Sequence, residues 1–148
     1  MAIIPMKLLF RSKQHERRFF IAVKGKIFEG NIDKDYGAAL YVLTSSVSTW
    51  EKAQSYITSE GIDFDALLMN VDFSHAYSAL IQLAGNLFNG TIESNPIDLM
   101  GLDENNFHLA ISAIYIRRFG LHTDNFQDVI ESLALDAIEN ISNYDVET

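Results

Sequence analysis

The chain has 148 residues, is 48% hydrophobic, carries a formal net charge of −9 and contains no cysteine. That length and apolar content allow one domain with a real core, while the lack of cysteine removes disulfides, thiol nucleophiles and thiolate metal sites and favours a reducing, cytoplasmic setting. The acidic balance makes general affinity for nucleic acid unlikely, because phosphate binding needs clustered Lys and Arg.

The apolar start "MAIIPMKLLF" is too short to span a bilayer and lacks a basic leader, so residues 1–11 read as an extended arm and no membrane role is expected. Ser12 then caps a predicted helix over 13–28, with Phe19, Phe20, Val23 and Ile27 on one face and His15 at its edge. "DYGAALYVL" predicts a helix over 35–43, and Ser48 with Glu51 three residues on reads as a capping box for another over 49–58. "DFDALLMNV" is a short helix. Asp72 or Ser74 caps a longer one reaching Phe88, and Asn89-Gly90 stops it. Pro96 forbids a continuous helix through 91–102.

The next helix has acids at its start, Asp103 and Glu104, and Arg117, Arg118 and Gly120 at its end, signs that suit the helix dipole. The nearly apolar run "FHLAISAIYI" between them predicts that it and the helix over 75–88 form the inside of the molecule. The last helix runs from Asp124 to about Ile141, leaving 142–148 as a frayed acidic tail. No internal repeat or composition break divides the sequence. The expectation is an all-α single domain over 1–148, a bundle of about six helices.

Motifs for chemistry are incomplete. His15-Glu16 begins like a zincin helix, but that site needs a second His four residues after the first, and Phe19 stands there. The pairs Asp72/His75 and Glu104/His108 are fragments of a metal set, explained by helix caps and first-turn acids. There is no phosphate-binding loop and no nucleophile elbow. No catalytic residue, metal or cofactor is therefore expected. Two uncharged polar stripes stand out on the apolar helices: His75, Ser78, Gln82 and Asn86 on one, Asn105, His108, Ser112 and Tyr115 on the other. Facing each other, they would line a small-molecule pocket.

Charge is unevenly divided, +5 over residues 1–34 and −14 over the rest. The basic face of Arg17, Arg18 and Lys24 is a candidate contact surface, expected to lie against acids such as Asp128 and Glu131 in the same molecule or a second copy.

Three landmarks carry a resemblance: His15-x-x-Arg18-Phe19, "AALYVLTS" at 38–45 and "LAGNLFNG" at 83–90. Together they resemble an uncharacterised family of small helical proteins from Gram-positive bacteria and their prophages. The resemblance implies a cytoplasmic bacterial or phage accessory protein and brings no activity with it. The function expected from all of this is a non-enzymatic accessory or protein-interaction module, with a protein partner or a second copy of itself. The alternatives are a nucleic-acid contact through the basic helix and a small-ligand binder built on the polar stripes.

Overall fold

The computed structural model describes residues 10–146. Most of the arm expected at 1–11 and the last two residues of the expected tail lie outside that range. Within it, eight α-helices and five two-residue strands alternate: α1 (Lys13–Ala22), β1 (Ile27–Phe28), β2 (Asn31–Ile32), α2 (Lys34–Leu43), α3 (Val47–Ala53), β3 (Ile57–Thr58), β4 (Gly61–Ile62), α4 (Phe64–Asn70), α5 (His75–Asn89), α6 (Pro96–Leu99), α7 (Glu104–Phe119), β5 (Leu121–His122) and α8 (Gln127–Val146). The mostly helical single domain expected from the sequence is present, with eight helices where about six were expected.

Side-chain caps set most of the helix starts. Ser12 accepts from the His15 N–H, Asp33 from those of Asp35 and Tyr36, Asp63 from Ala66, Ser74 from Tyr77 and Asp103 from Asn106, each satisfying a donor the helix itself leaves free. Ser46, not Ser48, caps α3. Gly90 caps the end of α5, Pro96 stands at the first turn of α6, and α8 continues past Ile141 to Val146.

The centre of the molecule is α2. Every residue from Gly37 to Leu43 is buried, which its sequence accounts for: no charged side chain interrupts that run, and its one side-chain polar group, the Tyr41 phenol, is hydrogen-bonded to Ser112. Helices α5 and α7 pack against α2 and more lightly against each other. They therefore flank the true inner helix. α5 buries Leu80, Ile81, Leu83 and Ala84, and α7 buries Leu109, Ala110, Ala113 and Ile116. Phe10 belongs to the core and not to an arm, with its ring edge-on to those of His15, Tyr41 and Phe126.

The predicted first helix ends six residues early, because the chain turns through a 3-10 segment at Lys24–Lys26 into the hairpin β1–β2. Glu29 and Gly30 both take positive φ, 52° and 80°, a conformation that suits a two-residue hairpin and that Gly adopts without cost. β2 also pairs with β5, closing a three-stranded antiparallel sheet. The predicted helix over 49–58 is cut in the same way by the hairpin β3–β4.

The two hairpins share a register and a place in the chain, although their turns differ: Ser59 and Glu60 have negative φ, and Gly61 takes φ 141° instead. Ile27 pairs with Ile32 and Ile57 with Ile62, and Asp33 and Asp63 follow as helix caps. Their N–H groups donate to Lys26 and Tyr56 carbonyls, both at 2.9 Å. The unit is a structural repeat, contrary to the reading of the sequence as free of repeats.

Candidate functional site

The His15-x-x-Arg18-Phe19 motif is an anchor between helices. Ser12 starts α1 so that His15, Arg18 and Phe19 lie toward the C-terminal end of α2. The Arg11 N–H donates to His15 Nδ1 at 3.1 Å, which leaves the ring proton on Nε2, and Nε2 donates to the Tyr41 carbonyl at 2.8 Å. Arg18 Nε donates to the Thr44 carbonyl at 2.9 Å, and Phe19 is fully buried with its ring near those of Phe10, Phe20 and Tyr41. Two carbonyls at or near the end of α2, where helices run out of partners of their own, are thus met by side chains of α1. His15 is fully buried instead of lying at an edge. Burial pushes its pKa from 6.5 down to about 4, outweighing the hydrogen bond to Tyr41, which raises it. The ring is therefore neutral at physiological pH.

The expected basic face is largely used inside the molecule. Arg17 donates to Ser132 Oγ at 2.7 Å and pairs with Asp136, both on α8, so its acidic partner sits further along α8 than Asp128 or Glu131. Arg18 serves a carbonyl. Lys24 is exposed.

One of the two polar stripes reaches a cavity. Asn105, His108 and Ser112 line a space of about 300 Å³ together with Phe10, Arg11, Tyr41 and Leu109. The Tyr41 phenol hydrogen-bonds Ser112, and burial, the larger influence, raises its pKa to about 12. Arg11 is held at the rim by Tyr77, at 3.0 Å, and by Asn106. Tyr115 lies elsewhere, its ring 4.8 Å from that of Phe119.

None of the four polar residues of α5 lines this cavity. His75 is exposed, Ser78 and Gln82 are half-buried, and Asn86 donates to the Ile92 carbonyl at 2.9 Å, fixing the loop after α5. Phe10, Arg11 and Tyr41 were missed as lining residues because they come from segments far apart in sequence. Beyond Phe10, between α1 and α8, lies a groove of about 420 Å³ lined by both signs of charge, including Lys13, Arg17 and Asp128. Among the described residues no group of three His, Cys, Asp or Glu could hold a metal ion, and no helix is long and apolar enough to cross a membrane.

The outer side of α7 is the least expected surface. Ile111, Ile114 and Phe119 are 41%, 39% and 47% exposed on a helix whose opposite side is core. Its apolar run is longer than one buried face requires. Helical spacing puts Ile111 and Ile114 on the arc opposite Leu109, Ala113 and Ile116, and the packing of the latter three on the core decides which arc faces out. Arg117 is committed to structure, donating to the Leu87 carbonyl at 2.9 Å and pairing with Asp35 at 3.1 Å, whereas Glu104 and Arg118 are exposed at the two ends of the outer face.

No protein-family model, curated protein or solved structure matches this chain.

Proposed function

We propose that this chain is a non-enzymatic protein-interaction module, a cytoplasmic accessory protein of bacterial or phage origin, with the outer face of α7 as its docking surface. The observation that carries the reading is the exposure of Ile111 and Ile114 on the outer arc of a helix whose inner arc is core, with Phe119 exposed at its end. Apolar side chains gathered on one face lose contact with water when a partner covers them. The landmarks on which a resemblance to a helical bacterial and prophage family rests have structural roles here: His15 and Arg18 tie α1 to α2, "AALYVLTS" supplies the carbonyls they meet, and Asn86 ties down a loop. Nucleic-acid binding gains no support, since Arg17 and Arg18 are engaged internally beside an acidic body.

A photo-crosslinking residue at position 111, introduced in the cells the protein comes from, tests the reading. Protein adducts are expected from position 111 and not from position 52 on the exposed side of α3. No adduct from position 111 would contradict it.

A second reading has its own observation, the cavity lined by Tyr41, Ser112, His108 and Asn105, which lies at the small end of the range for ligand pockets. A thermal-shift screen with small polar metabolites tests it. A shift that is lost in Ser112→Val would favour it over docking.

A further inference from the structure

We infer that the partner of the α7 face is a second copy of this chain, bound antiparallel about a twofold axis through Ile111. The inference rests on the reading of that face as a docking surface and names its occupant. The residues along the outer side of α7 begin with Glu104, end with Arg118 and have Ile111 midway between them, about 21 Å of helix in all. An antiparallel copy crossing at Ile111 sets Glu104 of each chain against Arg118 of the other, at both ends. It also sets His108 against Ile114, and Ile111 against itself. A twofold interface must be complementary to itself in this sense, with position i meeting j and j meeting i. Ile111 supplies apolar self-contact at the centre, His108 and Ile114 flank it, and opposite charges fall at the rim.

A parallel arrangement would put Glu104 on Glu104 and Arg118 on Arg118, so charge selects the antiparallel one. Both charged groups are exposed, Arg118 resting over the Phe119 ring at 5.0 Å, whereas the neighbouring Arg117 is already bound to Leu87 and Asp35. One helix face is smaller than the surface that stable complexes bury, and two copies of net charge −9 repel, so the dimer is expected to be weak and to form only at high concentration.

The charge pattern allows a test in which two defects cancel. Glu104→Arg makes both ends of the face basic, and Arg118→Glu makes both ends acidic. Each variant alone should self-associate about tenfold or more weakly than the unmodified chain, because every rim pair becomes repulsive. Mixed in equal amounts, the two should pair with each other, because each arginine end then meets a glutamate end. Sedimentation velocity over a concentration series reads the outcome, with circular dichroism confirming that both variants fold. The inference is overturned if the unmodified chain stays monomeric, if either variant associates as well as the unmodified chain, or if the mixture stays monomeric. A monomeric mixture accompanied by crosslinks from position 111 to other proteins would remove the second copy and leave the docking surface standing. Absence of both would remove the two together.

Discussion

His15 shows how a residue with the look of chemistry is put to structural use. Its neutral ring accepts from the Arg11 amide and donates to the Tyr41 carbonyl, and protonation would break the first bond and place a charge in the core. With a folded pKa of about 4 against 6.5 unfolded, the unfolded chain takes up the proton first as pH falls. The stability that the neutral ring supplies is fully present above the unfolded value and is lost as pH drops toward the folded one. Urea denaturation should therefore show the protein losing about 2 kcal/mol through this residue between pH 7 and pH 5. His15→Gln should remove that part of the pH dependence. An unchanged slope would mean that the ring is not held neutral. The sequence excluded a zincin through Phe19, but periodicity alone left His15 at an edge. Its burial depends on the Tyr41 carbonyl, a group with no signature of its own in the sequence.

At the scale of elements, caps were the most legible feature. Ser12, Ser74, Asp103 and Gly120 mark helix ends where their residue types said they would, because a cap is a local interaction between neighbours. The hairpins were not legible. Strands of two residues are too short to set up an alternating pattern, and Ile27 and Ile57 fitted the periodicity of the preceding helices equally well. Asp33→Ala and Asp63→Ala should each cost about 1 kcal/mol as lost caps of the repeated unit, measured by chemical denaturation. If only one of them does, the two units are not equivalent.

Packing between elements can be tested in the same way. A Cβ on Gly85 would lie 2.6 Å from Ile92 Cγ1 and 3.0 Å from Phe64 Cγ, so Gly85→Ala should destabilise by about 1–3 kcal/mol despite its better helix propensity. A neutral or stabilising result would show that α5 is free to move away from its neighbours. Leu80→Ala should cost about 2–5 kcal/mol, since that side chain is fully buried. Ile114→Ala should stay within about 1 kcal/mol of neutral, because Ile114 points outward. The apolar run of α7 suggested a core position there, and only the packing on α2 shows which arc is inside.

For the whole molecule, the charge division of the sequence has a partial structural counterpart: Arg17 of α1 is bonded to α8. The half of the polar-stripe expectation that met the cavity was legible as spacing along α7, while the opposite wall had to be assembled by the fold from Phe10, Arg11 and Tyr41. Several elements leave apolar side chains exposed, Phe28, Met69 and Ile97 among them, and the outer face of α7 is the one on which the functional account rests. Two-dimensional amide NMR spectra of the unmodified chain, recorded from about 20 μM to about 1 mM, test it most directly, a range suited to weak association. The account predicts concentration-dependent shifts or broadening concentrated at Glu104, His108, Ile111, Ile114, Tyr115 and Arg118, with the amides of α2 and α3 unaffected. Spectra that do not change with concentration, or changes centred on α1 instead, would contradict it.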